Sequence, residues 1–419
     1  MEAKKTSQAQ HGGYYVTDTD FLVPQTSPAA GFPPADWNRN AFLPAKTGLS
    51  PLTRPPILPK PAVSMPITIP PWPRQTPEIS RAVTQCIEST DWGRYESETK
   101  NALIAAIQSF FEATHVRLCC SGTAAIEISL RAAGVTNGDE VIVSAFDYPG
   151  NFRCIELLGA TPVLVDVSSE NFGPDVDSVA AAASERVRAV IASHLYGHAC
   201  DIASLRNLCD ENGWVLIEDA CQTPGMRIHG KPAGSFGHLA TLSFGGSKPL
   251  SSGNGGAILT SDDRIAARIA GLLDRPSDAF PLSGLQASVL PPQLAELRKQ
   301  NEQRNRIARQ IHQQLKRIDS PLVCLAEIRD EIEPAYYKLA LRADSQASRN
   351  QVVTAAAEQH LPMGHGFRSM ARSSERRCRK PVPLDRAETL ANQICVLDHR
   401  ALLIDESDVF ELCQLLGNP

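Results

Sequence analysis

The sequence predicts an α/β fold: a mostly parallel central sheet covered by helices on both faces, with a smaller C-terminal α+β domain. Two observations carry this. Short, continuously apolar runs alternate with helical patterns between residues 116 and 219, the mark of strands buried on both sides. At 419 residues, 42% of them hydrophobic, the chain is also long enough for a large core and a second domain.

The segment 1–75 stands apart. From Pro24 to Pro77 lie about half of the 31 prolines, in runs such as Arg54-Pro-Pro-Ile-Leu-Pro-Lys-Pro61. Proline fixes φ and removes an amide donor, so this segment reads as an extended arm lying on the body or on a partner subunit, with a disordered linker as the alternative. Residues 76–320 read as the large domain. Helical spacing of apolar positions covers 78–88 and 98–113. A strand at 116–120 runs into a helix at 124–133. Strands at 140–144, 161–166, 189–194 and 214–219 then alternate with helices at 151–158, 176–183 and 202–212. Strands at 239–244 and 257–260 flank Lys248, and a long charged helix at 293–315 leads toward residues 321–419. There a strand at 336–342 and helices at 349–359 and 407–416 outline the smaller domain.

Bulk properties exclude several classes. A net charge of −5 gives no global basic field to draw nucleic acid or membrane. The eleven cysteines are scattered without CxxC or zinc-type spacing, which speaks against a structural metal and for a reducing compartment. The N-terminus lacks the apolar core of a signal peptide, and no apolar run spans a bilayer, so the expected location is cytoplasmic. Gly253-Asn-Gly-Gly lacks dinucleotide-binding spacing, and neither a Walker loop nor HExxH is present.

The chemistry-bearing residues cluster in two stretches. Lys248 lies in Ser243-Phe-Gly-Gly-Ser-Lys248-Pro-Leu-Ser-Ser-Gly-Asn-Gly-Gly256, among small residues that permit close backbone approach. Such a lysine can condense with an aldehyde, and burial near another cation would lower its pKa toward the reactive free amine. Asp219 ends an apolar strand in Ile217-Glu-Asp219-Ala-Cys-Gln222, where a carboxylate can keep a pyridine nitrogen protonated. Ser121-Gly122-Thr123 opens a helix directly after a strand, a natural anion site. Tyr148 follows a strand's carboxyl end and could stack on a planar ring. Together these point to pyridoxal 5′-phosphate (PLP). The basic run Arg368, Arg372, Arg376, Arg377, Arg379 and Lys380 is either solvated surface or a grip for an anionic substrate if it folds over a pocket.

From about residue 66 onward the chain resembles the DegT-type aminotransferases, PLP enzymes of fold type I that aminate keto-sugars, usually nucleotide-linked, or cyclitols. The resemblance rests on a colinear set that includes Ser121-Gly-Thr, Gly138-Asp-Glu-Val-Ile-Val143, Gly159-Ala-Thr-Pro-Val-Leu-Val-Asp166, His194-Leu-Tyr-Gly197, Glu218-Asp-Ala-Cys-Gln222, Gly234-Ser-Phe-Gly237, Ser243-Phe-x-x-x-Lys248 and Gly255-Gly256. It implies that Lys248 carries the cofactor and then shuttles the proton. Asp219 would pair with the pyridine nitrogen, Gln222 would contact the 3-hydroxyl and Tyr148 would stack on the ring. Gly122, Thr123 and Ser243 would hold the phosphate. It further implies an amino donor, glutamate or glutamine, a keto acceptor, and a homodimer. Related dehydratases carry histidine in place of the lysine, so Lys248 favours transamination. Elimination chemistry and a non-catalytic binding role are the alternatives. The chain departs from the family pattern in the extra proline-rich arm, a short loop between Gly256 and the helix near Leu285, Pro149 after Tyr148, and three motif positions. Asn254 replaces an acidic residue after the lysine, Ala279-Phe-Pro281-Leu stands where Asn-x-Arg-Met is usual, and Ser144-Ala-Phe-Asp147 replaces Pro-Ser-Phe-Thr.

Overall fold

The alternating apolar runs form a seven-stranded sheet in the computed structural model, which describes residues 67–274, 279–318 and 320–417. Its strands are β1 (His115–Cys119), β2 (Glu140–Ser144), β3 (Thr161–Val165), β4 (Val187–Ser193), β5 (Val215–Asp219), β6 (Leu239–Ser243) and β7 (Gly256–Thr260), in the order β1-β7-β6-β5-β4-β2-β3. Only β7 runs against the others; it pairs antiparallel with both β1 and β6. The strands are apolar throughout because both faces are covered. Val141, Val143, Ile191 and Ile217 pack on one side with Ile126, Leu130 and Ile155 of the helices Gly122–Ala132 and Pro149–Leu157. The alternate residues Ile142, Val190 and Leu216 pack on the other side with Leu205 and Cys209 of the helix Ile202–Asn212.

A second, wholly antiparallel sheet follows: β8 (Leu322–Cys324), β9 (Lys338–Ala343), β10 (Met363–His365) and β11 (Ile394–Asp398), in the order β8-β9-β11-β10. The helix Leu290–Arg317 joins the two layers; at 28 residues it is about 42 Å long. Its Leu290, Leu294 and Leu297 belong to the core against β6 and β7. Its Ile307, Ile311 and Leu315 belong to the core of the second sheet, with Leu339, Leu341 and Leu397.

Several elements were not among those expected. The helix Asp263–Leu273 buries Ile265, Ile269 and Leu273 at helical spacing. Strands β8, β10 and β11 are short or follow a helix directly: Ile394 both caps the helix Asp385–Gln393 and begins β11. Of the proline-rich arm, residues 1–66 lie outside the described residues. The end of the segment lies on the body. Ile67 is buried in the second core, and Trp72 packs edge-on against His399 with ring centroids 4.6 Å apart. Among the described residues no helix is long and apolar enough to cross a membrane.

Candidate active site

The parallel strands β2, β4, β5 and β6 end in Ser144, Ser193, Asp219 and Ser243, so the loops that follow them converge at one edge of the sheet. In an open α/β sheet this carboxyl edge is where ligands gather. A cavity of about 320 Å³ opens there, and every residue expected to hold the cofactor lines it: Gly122, Thr123, Tyr148, Asp219, Gln222, Ser243 and Lys248. A larger cavity, about 470 Å³, lies among the helices Pro77–Glu88, Glu98–Phe111 and the start of Leu290–Arg317, but it contains none of these residues.

The helix Gly122–Ala132 presents its N-terminus to the cavity. Ser121 caps it, accepting from the Ala124 amide at 3.0 Å. Glycine at two positions makes the cradle. A Cβ on Gly122 would sit 2.8 Å from Ser243 Cβ, and one on Gly256 would sit 2.5 Å from the Ser121 carbonyl oxygen. Only without those side chains do β6 and β7 approach the helix start this closely. The result is a cup of backbone amides and the Ser243 hydroxyl, shaped for an anion.

Asp219 is buried at the end of β5 and ringed by donors. Asn151 Nδ2 donates to Oδ2 at 3.0 Å, the Cys221 amide to Oδ1 at 3.0 Å and Thr241 Oγ1 to Oδ1 at 3.4 Å. Beside it, Asp147 is also buried; its Oδ2 lies 2.8 Å from Ser193 Oγ, and its Oδ1 accepts from the Tyr148 amide at 2.6 Å. Burial, reinforced by the neighbouring Asp219, pushes the Asp147 carboxyl up to about 7. The residue before Asp219 has a different task. Glu218 faces the opposite side of β5, where it pairs with His194 at 2.9 Å and accepts from the amides of Gly234, Phe236 and Gly237. Burial opposes its ionisation, but these partners outweigh it and hold the carboxyl below its usual range.

Lys248 is half-buried rather than enclosed. Its Nζ lies 4.0 Å from the centre of the Tyr337 ring, which Lys338 approaches at 4.9 Å. In place of full burial Lys248 has an aromatic face, and the nearby cation, Lys338, is paired with Asp398 at 2.5 Å. The Lys248 backbone is pinned: its carbonyl accepts from Trp72 Nε1 at 2.9 Å, and its amide donates to the Gly245 carbonyl. Tyr148 is 43% exposed and forms one wall beside Phe367. Its ring covers the start of the following helix, where a Cβ on Gly150 would meet it at 2.2 Å. Gln222 is buried with its Oε1 lacking any hydrogen-bond partner.

Tyr337 and Phe367 were not legible beforehand, because they come from the C-terminal part and carry no motif. Asn151 and Ser193 were missed as polar residues within apolar elements. For Ser193 the available signal was strand alternation: it lies two residues beyond Ile191, as Asp219 lies two beyond Ile217 on the neighbouring strand, whereas Asn151 sits on a helix and carried no such signal. The basic run contributes no cavity-lining residue among those described. Arg377 pairs with Glu156, Arg379 with buried Glu140 and Arg372 with Glu388, so these three tie the segment to the body. No cluster of metal-ligating side chains occurs among the described residues.

The sequence model of the DegT/DnrJ/EryC1/StrS aminotransferase family matches residues 73–414. A GDP-perosamine synthase from Vibrio cholerae is 37% identical over 183 residues, 44% of this chain and 50% of that protein, so the chain matches about half the length of that relative. An L-glutamine:2-deoxy-scyllo-inosose aminotransferase from Micromonospora echinospora is 28% identical over 394 residues, covering 81% of this chain and 92% of its own. The crystal structure of 3-amino-5-hydroxybenzoic acid synthase superposes with a TM-score of 0.76 at 24% identity, over 84% of this chain and 98% of that one; at this identity the likeness is one of fold.

Proposed function

Because the chain belongs to the DegT/DnrJ/EryC1/StrS aminotransferase family, we propose that it is a PLP-dependent aminotransferase. It would move an amino group from glutamate or glutamine to a keto-sugar, often nucleotide-linked, or to a cyclitol ketone. The observation that carries this reading is the meeting of Lys248, Asp219, Gln222, Tyr148, Ser243, Gly122 and Thr123 in one cavity at the carboxyl edge of the sheet. The residues fit the cofactor. The glycine-lined cup at the helix start suits its phosphate, the orphaned Gln222 Oε1 suits its hydroxyl, and the buried Asp219 carboxylate suits its ring nitrogen.

When bound, PLP supplies an aldehyde for covalent attachment and a ring that draws electrons from the substrate carbon. The protein's part is to orient and to move protons. Lys248 Nζ would give the attachment point and afterwards the base that carries a proton to and from the reacting carbon. Asp219, fixed by Asn151, the Cys221 amide and Thr241, would hold the ring nitrogen's proton. Tyr148 would pack against the bound ring, and Tyr337 covers the lysine amine from one side. In this reading residues 76–320 bind the cofactor, and residues 321–419 form a smaller domain that lends Tyr337 and Phe367 to the substrate side. The working form is a cytoplasmic homodimer. The names of the Vibrio and Micromonospora relatives support a nucleotide-linked sugar and a cyclitol as the two acceptor classes.

The test is the first half-reaction alone. Purified protein loaded with PLP and mixed with glutamate, without acceptor, should release one equivalent of the 2-oxo acid per chain and then stop. Continued release with ammonia, or none with glutamate or glutamine, would overturn transamination from these donors.

A further inference from the structure

Asp147 is a second buried carboxyl group directly behind the one expected to contact the cofactor. It stands where the family pattern has threonine, in Ser144-Ala-Phe-Asp147. A single hydroxyl bridges the two acids: Ser193 Oγ lies 2.8 Å from Asp147 Oδ2 and 3.5 Å from Asp219 Oδ2. Asn151 Nδ2 sits in the same gap, 3.0 Å from Asp219 Oδ2 and 3.5 Å from Asp147 Oδ2. Ser193 has one hydrogen. If both acids were ionised, both would compete for it although both side chains are buried. If one acid carries a proton, the chain is complete: it donates to Ser193 Oγ, and the Ser193 hydroxyl donates to the other acid. The partners decide which acid stays charged. Asp219 has the Asn151 amide, the Cys221 amide and Thr241 as further donors, whereas Asp147 has only the Tyr148 amide at 2.6 Å and the long Asn151 contact.

We propose that Asp147 is a positioning residue held as the neutral acid. It donates through Ser193 to keep Asp219 ionised and aimed at the ring nitrogen. This rests on the aminotransferase reading for its purpose, but not for the location of the proton. The titratable groups facing the pair are few. Tyr196, on the loop after β4, is buried, and burial holds its phenol well above the ordinary range. Cys154, on the helix Pro149–Leu157, is buried and pushed up to about 12 by that burial. Cys221, which contacts Asp219, is likewise raised well above its ordinary range by burial, so all three stay neutral near pH 7, and among the described residues Asp219 is the charge that faces Asp147. The raised Asp147 value agrees with this placement.

The test uses the cofactor-free protein first. An acid whose pKa is raised on folding stabilises the fold at low pH and loses that contribution as pH rises toward its folded value. Relative to Asp147→Asn, which keeps a neutral donor at every pH, the wild-type folding constant should therefore fall about fiftyfold between pH 5 and 7, about a hundredfold by pH 8, and level off above that. Parallel profiles for wild type and Asp147→Asn would overturn the proposal. So would a profile that survives in Asp147→Asn and disappears in Asp219→Asn, since the proton would then reside on Asp219. The second readout is PLP affinity by absorption. Asp147→Asn should bind within about threefold of wild type, and Asp147→Ala or Ser193→Ala about tenfold more weakly, for the loss of one charge-assisted contact. Equal affinity in all of them would remove the positioning role. A wild type that binds no PLP would refute the aminotransferase reading while leaving the proton assignment to stand or fall on the stability profiles.

Discussion

Gly256→Ala is the sharpest perturbation of the anion cup. Gly256 begins β7 and pairs on both sides, with Cys119 of β1 and Ser243 of β6. A Cβ there would lie 2.5 Å from the Ser121 carbonyl oxygen, 2.6 Å from its carbon and 2.8 Å from the Gly122 nitrogen. Ordinary contact begins near 3.4 Å, so the helix start must retreat by 0.6 to 0.9 Å. All three obstructing atoms are backbone, and no side chain can rotate away. Overpacking of this kind costs about 1–3 kcal/mol, which lowers the Tm by a few degrees in a chain of this size. A displacement of nearly 1 Å in the cup should also weaken PLP binding by about tenfold to a hundredfold. Denaturant unfolding of the cofactor-free protein at constant m-value gives the first quantity, and absorption titration with PLP gives the second. Gly245→Ala is the stability control, because its nearest neighbours would be at 3.6 and 3.9 Å; it should fall within about 0.5 kcal/mol of wild type. A Gly256→Ala protein with wild-type midpoint and wild-type PLP affinity would refute the close approach of β7 to the helix.

Three other perturbations have definite outcomes. Gly122→Ala should weaken PLP binding by about tenfold or more. The Ser243→Gly change, which removes the Cβ it meets at 2.8 Å, should restore stability in the double variant, measured as a non-additive cycle in denaturant. Gln222→Met removes a buried acceptor that has no partner, so the cofactor-free Tm should not fall, while PLP affinity drops about tenfold for one lost hydrogen bond. Arg379→Met strips a partner from the fully buried Glu140, leaving Arg186 and Ser184, and should cost about 2–4 kcal/mol in chemical denaturation without changing PLP affinity.

The sheet was legible where burial on both faces produces an unbroken apolar run. Glu140–Ser144 and Ile202–Asn212 fall on their expected bounds, and the other central strands fall within two residues. The second sheet was harder to read, since β8 and β10 have three residues each and β11 begins without a turn. The cavity-lining residues at strand ends could be picked out because glycine clusters and a polar residue closing an apolar strand stand out in a sequence. Tyr337 and Phe367 were not, as they reach the cavity only through the packing of the C-terminal layer. Lys248 shows the limit most clearly. Glycines around it marked it as special, but they did not reveal that an aromatic face would stand over its amine or that Trp72 would hold its carbonyl.

The most direct measurement is the visible absorption spectrum of the purified protein with added PLP, before and after glutamate, for wild type and Lys248→Ala. The expected result is a visible band in wild type that bleaches with glutamate and is absent from Lys248→Ala. A band of equal strength in Lys248→Ala, or no band in wild type, would contradict the assignment of Lys248 as the residue that holds the cofactor.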